Sequence, residues 1–211
     1  MTSPSLSPTE YLPIAYLPGA SGRSSVWEPI ANVLAHRREA LLFNYPGLNA
    51  REAPARDDID SLADLTRWVV SELPERCDVV SLSMGSAIAL RLALEYPERV
   101  RRLVLVVPCG AVNALHFGAL DWRERFLMAR PHAPRWFVHD VTDFGPRLPS
   151  IHAPTLLVFG EDDPIAPPAL GEFMLTRLPS AKLEVLPDAS HDLEEEHPAF
   201  LASLIEAHLR R

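Results

Sequence analysis

A serine hydroxyl becomes a useful nucleophile when a base takes its proton, and an imidazole can do this near neutral pH if a carboxylate holds its other nitrogen. Ser83, Asp163 and His191 follow one another in that order, each among neighbours suited to one of these roles. Ser83 stands in Ser-Leu-Ser-Met-Gly, residues 81–85, between an apolar run and a helical pattern. A hydroxyl displayed on a sharp strand-to-helix turn needs small residues two places to either side, and Ser81 and Gly85 are small. Taken alone, such a pentapeptide is common in any serine-rich chain, so its placement between strand and helix carries the argument.

The acid has to sit at the end of a later strand. Gly160-Glu161-Asp162-Asp163-Pro164 supplies one, and Asp163 fits the spacing Gly-x-x-Asp-x-x-x-Pro with Gly160 and Pro167, whereas Asp162 falls one place early. Without partners this stretch would read as a solvated turn. His191 follows the last apolar run and precedes Glu194-Glu195-Glu196-His197-Pro198, a charged helix start. Asp192 is its neighbour, but adjacent side chains on a loop seldom face each other, which leaves Asp163 as the partner. Developing oxyanion charge needs two backbone donors aimed at one point. The Met84 amide, next to Ser83, is one candidate; the Ala20 amide in Pro18-Gly19-Ala20-Ser21-Gly22 is the other. That loop lacks the spacing of a phosphate cradle, which argues against a nucleotide.

Residues so far apart can meet only if a regular scaffold brings their loops together. Short apolar runs at 11–17, 40–43, 77–82, 101–107, 155–159 and 182–186 alternate with helical patterns at 26–35, 61–73, 84–96, 168–178 and 198–209. That rhythm predicts an α/β fold with a mostly parallel central sheet of about six strands. Val104 to Val107 and Leu156 to Phe159 are apolar without alternation, as expected of strands covered on both faces. Residues 108–154 break the rhythm, with several prolines and the aromatics Phe117, Trp122, Phe126, Trp136, Phe137 and Phe144. Two readings stand side by side: a lid whose aromatics line an apolar acyl or aryl pocket, or a packed helical insertion.

A chain of 211 residues, 47% apolar, is enough for a single domain over 1–211, and no shift in composition divides it. The 21 prolines fall mostly between the periodic segments or at their edges, which marks loops. A formal charge of −8 without a basic run argues against a nucleic-acid surface and favours small neutral or apolar partners. The first ten residues lack the basic start and apolar stretch of a signal peptide, and no run approaches the roughly 18 apolar residues of a membrane span, so a soluble cytoplasmic protein is expected. Cys77 and Cys109 have no metal-like spacing and read as reduced, partly buried thiols. Oligomeric state leaves no signal.

Together these segments resemble the α/β-hydrolase superfamily over nearly the whole chain from Tyr11. Leu17 to Gly22 with Trp27 is similar to its oxyanion loop, Asn44-Tyr45-Pro46-Gly47 to its Asp-x-Pro-Gly turn, and residues 81–85 to its nucleophile elbow. Gly160 to Pro167 resembles the acid turn, and His191 with Glu196 and Pro198 the His-x-x-x-x-Glu-x-Pro ending. Pro18, Asn44, Asn49 and Ser81 depart from the usual His, Asp, Gly and Gly, and only ten residues precede Tyr11, so a compact sheet without the customary leading antiparallel pair is expected. The resemblance implies a cofactor-free serine esterase or thioesterase. Acyl transfer, carbon–carbon bond hydrolysis and lyase chemistry remain open on the same triad, as does a non-catalytic ligand-binding protein.

Overall fold

In the computed structural model, which describes residues 11–49, 53–140 and 142–210, the apolar runs become strands β1 (Ile14–Leu17), β2 (Ala40–Leu42), β3 (Cys77–Leu82), β4 (Val100–Val106), β5 (Thr155–Gly160) and β6 (Ala181–Leu186). Every pairing among them is parallel, in the order β2-β1-β3-β4-β5-β6. The helices between them are α1 (Glu28–Leu34), α2 (Leu62–Glu72), α3 (Gly85–Glu95), α4 (Arg123–Ala129), α5 (Arg135–His139), α6 (Pro168–Arg177), α7 (Leu193–Glu196) and α8 (Pro198–Leu209). This is the six-stranded parallel sheet flanked by helices that the α/β-hydrolase resemblance implies. The first ten residues, on which the signal-peptide reading rests, lie outside the described residues.

Burial follows position in the sheet. β3 and β5 are buried at all six positions because helices cover both faces, while edge strand β6 alternates along most of its length. α1 packs against α8 and α2 against α3, closing the two layers. Local chemistry sets the ends of the elements. Pro13 has no amide to give the ladder, so β1 begins at Ile14 and not at Tyr11. Val107 leaves β4 with φ at 41°, which cuts that strand one residue short of the expectation. Ser61 caps α2 by accepting from the Asp64 amide at 3.1 Å. Prolines 29, 168 and 198 occupy first turns, where no intrahelical donor is needed.

The excursion at 108–154 divides. Phe137, Val138, Phe144, Leu148 and Ile151 are buried in the core, as a packed insertion would be. α4 lies over the sheet's carboxyl edge with its residues only partly buried or exposed.

Candidate active site at the carboxyl edge of the sheet

Parallel strands that end in register deliver their following loops to one edge. Leu17 lies opposite Ser81, Leu82 opposite Val106 and Gly160 opposite Leu186, so the loops after β1, β3, β5 and β6 converge. They bring together all three side chains singled out from sequence. Ser83 Oγ is 2.9 Å from His191 Nε2, and His191 Nδ1 is 2.7 Å from Asp163 Oδ2. The other carboxylate oxygen accepts from the amides of Ile165 and Ala166 at 2.8 and 2.9 Å, which fixes Asp163 in a solvent-free site. With a carboxylate at Nδ1, the proton belongs there, and Nε2 is free to accept from the Ser83 hydroxyl. Asp162, one place early, is exposed.

The turn at Ser83 is strained. Its φ is 49°, in the left-handed region that a side chain seldom adopts, and its amide donates to Val106 O at 2.9 Å. Gly85 is required two places later because a Cβ there would come within 2.5 Å of Pro18 O and 2.8 Å of Leu17 O. On the other side, Ser81 is tolerated in place of a glycine: its hydroxyl lies 3.3 Å from Val104 O and 3.2 Å from Ser86 Oγ, so the added polar atom is satisfied.

A second close approach joins the acid to the histidine. A Cβ on Gly160 would lie 2.4 Å from the carbonyl oxygens of both Ala189 and Ser190, so the strand that leads to Asp163 rests directly on the loop that carries His191. Gly160→Ala is therefore expected to displace that loop, lowering kcat/KM on an ester by about a hundred-fold together with the melting temperature. Steady-state kinetics and thermal unfolding check this; full activity would mean that the two loops shift as one body.

The loop after β1 is braced from behind. Trp27 Nε1 donates to Leu17 O at 3.1 Å, Asn44 Oδ1 accepts from the Ser24 amide at 2.8 Å, and the Tyr45 amide donates to Gly22 O at 2.8 Å. Asn44 thus serves this turn as an acceptor, which an uncharged amide does as well as a carboxylate. The amides of Ala20 and Met84 have no acceptor among the described residues, and a Cβ on Gly19 would lie 3.2 Å from Ser83 Cβ, so this loop passes close beside the serine.

Three residues near the site were not legible from sequence in these roles. Cys109 is fully buried, not partly as expected, and its Sγ is 3.1 Å from Ser83 Oγ. Burial pushes its pKa up to about 12, so it is a neutral thiol beside the hydroxyl. Glu196 accepts from the Ser190 amide at 3.0 Å and the Ser190 hydroxyl at 2.7 Å, which ties down the residue before His191. Those bonds, the amide first, hold its carboxyl below the usual pKa. Glu194, also beyond His191, is buried.

Ser83 and His191 open into a cleft of about 420 Å³ lined by Ala20, Trp122, Phe126, Ile165, Arg125, Arg130 and Glu194 among others. This corrects the expectation of an aromatic pocket built from the whole excursion. Only Trp122 and Phe126 of its six aromatics line the cleft; Phe137 and Phe144 are core residues, and Phe117 packs on Phe173 at 4.9 Å elsewhere. A larger cavity of about 700 Å³ beside β2, lined by Leu42, Phe43 and Trp68 among others, contains none of the three residues.

Residues 13–142 match the sequence profile of the family described as alpha/beta hydrolase fold. The chain belongs to that family. The match stops before Asp163 and His191, whose pairing is seen in the geometry above. Among its relatives are a pimeloyl-[acyl-carrier protein] methyl ester esterase from Nitrosomonas europaea, 27% identical over 84% of this chain and 88% of that protein, and a 2-hydroxy-6-oxo-6-phenylhexa-2,4-dienoate hydrolase from Burkholderia cepacia, 27% identical over 85% and 80%. A hydrolase structure from Pseudomonas aeruginosa superposes with a TM-score of 0.79 at 21% identity, covering 96% of this chain and 91% of the other. The membership supports hydrolase chemistry; the substrates for which the two relatives are named differ. Among the described residues no helix is long and apolar enough to cross a membrane.

Proposed function

We propose that this protein is a serine hydrolase that cleaves a carboxylic ester or thioester of a small substrate through an acyl-enzyme on Ser83. The observation that carries this reading is the unbroken chain Ser83 Oγ, His191 Nε2, His191 Nδ1, Asp163 Oδ2, with contacts of 2.9 and 2.7 Å. His191 takes the hydroxyl proton as Ser83 Oγ bonds to the carbonyl carbon. The amides of Ala20 and Met84 receive the oxyanion. As the tetrahedral intermediate collapses, the bond to the leaving alcohol or thiol breaks and His191 returns the proton to it. Water then attacks the acyl-enzyme by the same route, releasing the acid and restoring Ser83. Asp163 stabilises the imidazolium in each half-reaction.

The acyl part lies against Trp122, Phe126 and Ile165, the apolar lining of the cleft. The chain acts as a single domain, with the α4 part of residues 108–154 covering the cleft as a lid, on small molecules in the cytoplasm and without a cofactor or nucleic acid. A carbon–carbon hydrolase would use the same three side chains, and the second relative named above favours keeping that reading. Exposure of the purified protein to a fluorophosphonate probe, followed by peptide mass spectrometry, tests the serine directly. Stoichiometric labelling of Ser83, absent in Ser83→Ala, is the expected result; no adduct on Ser83 would remove the nucleophile and favour a ligand-binding protein.

A further inference from the structure

Glu194 follows His191 on the short helix α7 and lines the same cleft as Ser83, yet the serine, histidine and aspartate do not need it. It is only 6% exposed, and its Oε2 is closed off from solvent without a hydrogen-bond partner among the described residues. A buried acid kept for structure would be paired within the fold, as Asp78 is with Arg38 and Arg101. The arginines of the cleft do not answer it: Arg130 donates to Ser21 O at 3.2 Å, and neither Arg23 nor Arg125 forms an ion pair with it.

Burial pushes its pKa up to about 7, with Asp192 and Glu195 adding to the rise and its own amide and His191 opposing it. Near neutrality the carboxyl therefore exists partly as the acid, able to donate as well as accept. Its terminal torsion is broad and two-fold, and the residue lines the cleft, so one oxygen of the carboxyl can turn to a bound substrate while the other stays covered.

We propose that Glu194 is a specificity-determining residue whose carboxyl hydrogen-bonds a hydroxyl or amide N–H carried by the substrate away from the scissile carbonyl. The inference rests on the serine-esterase reading of Ser83. A substrate with such a group gives the carboxyl oxygen on the cleft side a hydrogen bond as it fills the cleft. A plain alkyl chain leaves it unpaired in a drier environment, and that asymmetry makes polar recognition selective.

The test uses p-nitrophenyl esters of straight-chain acids from butanoate to octanoate, each plain, ω-hydroxylated, ω-acetamido or ω-trimethylammonio, with wild type, Glu194→Gln and Glu194→Leu. Wild type is expected to prefer an ω-hydroxy or ω-acetamido ester over its plain counterpart by about ten-fold or more in kcat/KM. Glu194→Gln, which keeps a donor and an acceptor, should retain most of that ratio, and Glu194→Leu should bring it to about one. Because ratios are compared, partial loss of folded protein does not obscure the result. A ratio unchanged in Glu194→Leu would overturn the proposal, as would a preference for the trimethylammonio esters, which have no N–H to donate and would mark Glu194 as a cation site. Failure of wild type to cleave any ester, or of fluorophosphonate to label Ser83, would sink the esterase reading and the proposal with it. Labelling with normal plain-ester turnover but no polar preference would sink the proposal alone.

Discussion

Ser83→Ala is expected to lower kcat on a p-nitrophenyl ester by about a million-fold, to the background the assay can resolve. The size follows from the proposed role of Ser83, His191 and Asp163 as a single catalytic unit. Without Oγ there is no atom to form the acyl-enzyme, and His191 has no hydroxyl proton to take. What remains is binding in the cleft and whatever the Ala20 and Met84 amides contribute to direct attack by water. Folding should be nearly unaffected: the substitution removes one atom and two contacts, to His191 and Cys109, in a residue already lining an open cleft. Unfolding stability should stay within about 1 kcal/mol of wild type. Near-wild-type turnover in a pure sample of the variant would overturn the assignment of Ser83.

The largest effect on stability is expected at the opposite end of the sheet. Asp78, near the start of β3, is fully buried and receives Arg38 Nη1 at 2.7 Å and Arg101 through Nε at 2.8 Å and Nη2 at 2.6 Å. Both guanidiniums also donate to Leu209 O at 2.8 Å, the last residue of α8. Cations at a helix C-terminus meet its partial negative charge, so one carboxylate holds two arginines that tie the C-terminal helix to the strands. Asp78→Ala leaves the Arg38 guanidinium, whose side chain is only 4% exposed, without its counter-charge. The expected cost is about 3–5 kcal/mol, read as a lower denaturation midpoint at unchanged slope. Activity per folded molecule should hold, because the cluster lies at the amino end of the strands and the cleft at the carboxyl end. A loss below about 1 kcal/mol would mean that Arg38 swings out to water.

Much of this was available before any coordinates, for reasons particular to each element. β3, β4 and β5 are legible because strands covered on both faces must be apolar throughout, and α2, α6 and α8 because a serine cap or a leading proline marks where each begins. Ser83 stands out in the sequence because a side chain displayed on a tight turn restricts its neighbours, and Gly85 records that restriction. Asp163 and His191 are legible from local spacing, each at the end of a strand.

The partners that hold these residues in place are another matter. Gly160 is in the sequence, but only the fold shows that the Ala189 and Ser190 carbonyls lie against it. Cys109 carries no local signal of its closeness to Ser83, since the two are joined by the pairing of β3 with β4 and by the turn that Val107 makes at positive φ. Of six aromatics alike in type, the fold sends two to the cleft and buries others in the core, a choice made by the path of residues 108–154 and not by composition. Glu194 and Glu196 are both glutamates of one short acidic run, yet Glu196 is paired at the surface and Glu194 is buried, its Oε2 without a partner among the described residues. Sequence by itself determined the six strands, the helices α1, α2, α3, α6 and α8 and the residue types able to do chemistry, because periodicity, capping and turn geometry act over a few neighbouring positions. Tertiary structure decided which of those residues meet, which are satisfied and what the cleft presents, because those outcomes depend on contacts between segments far apart in the chain.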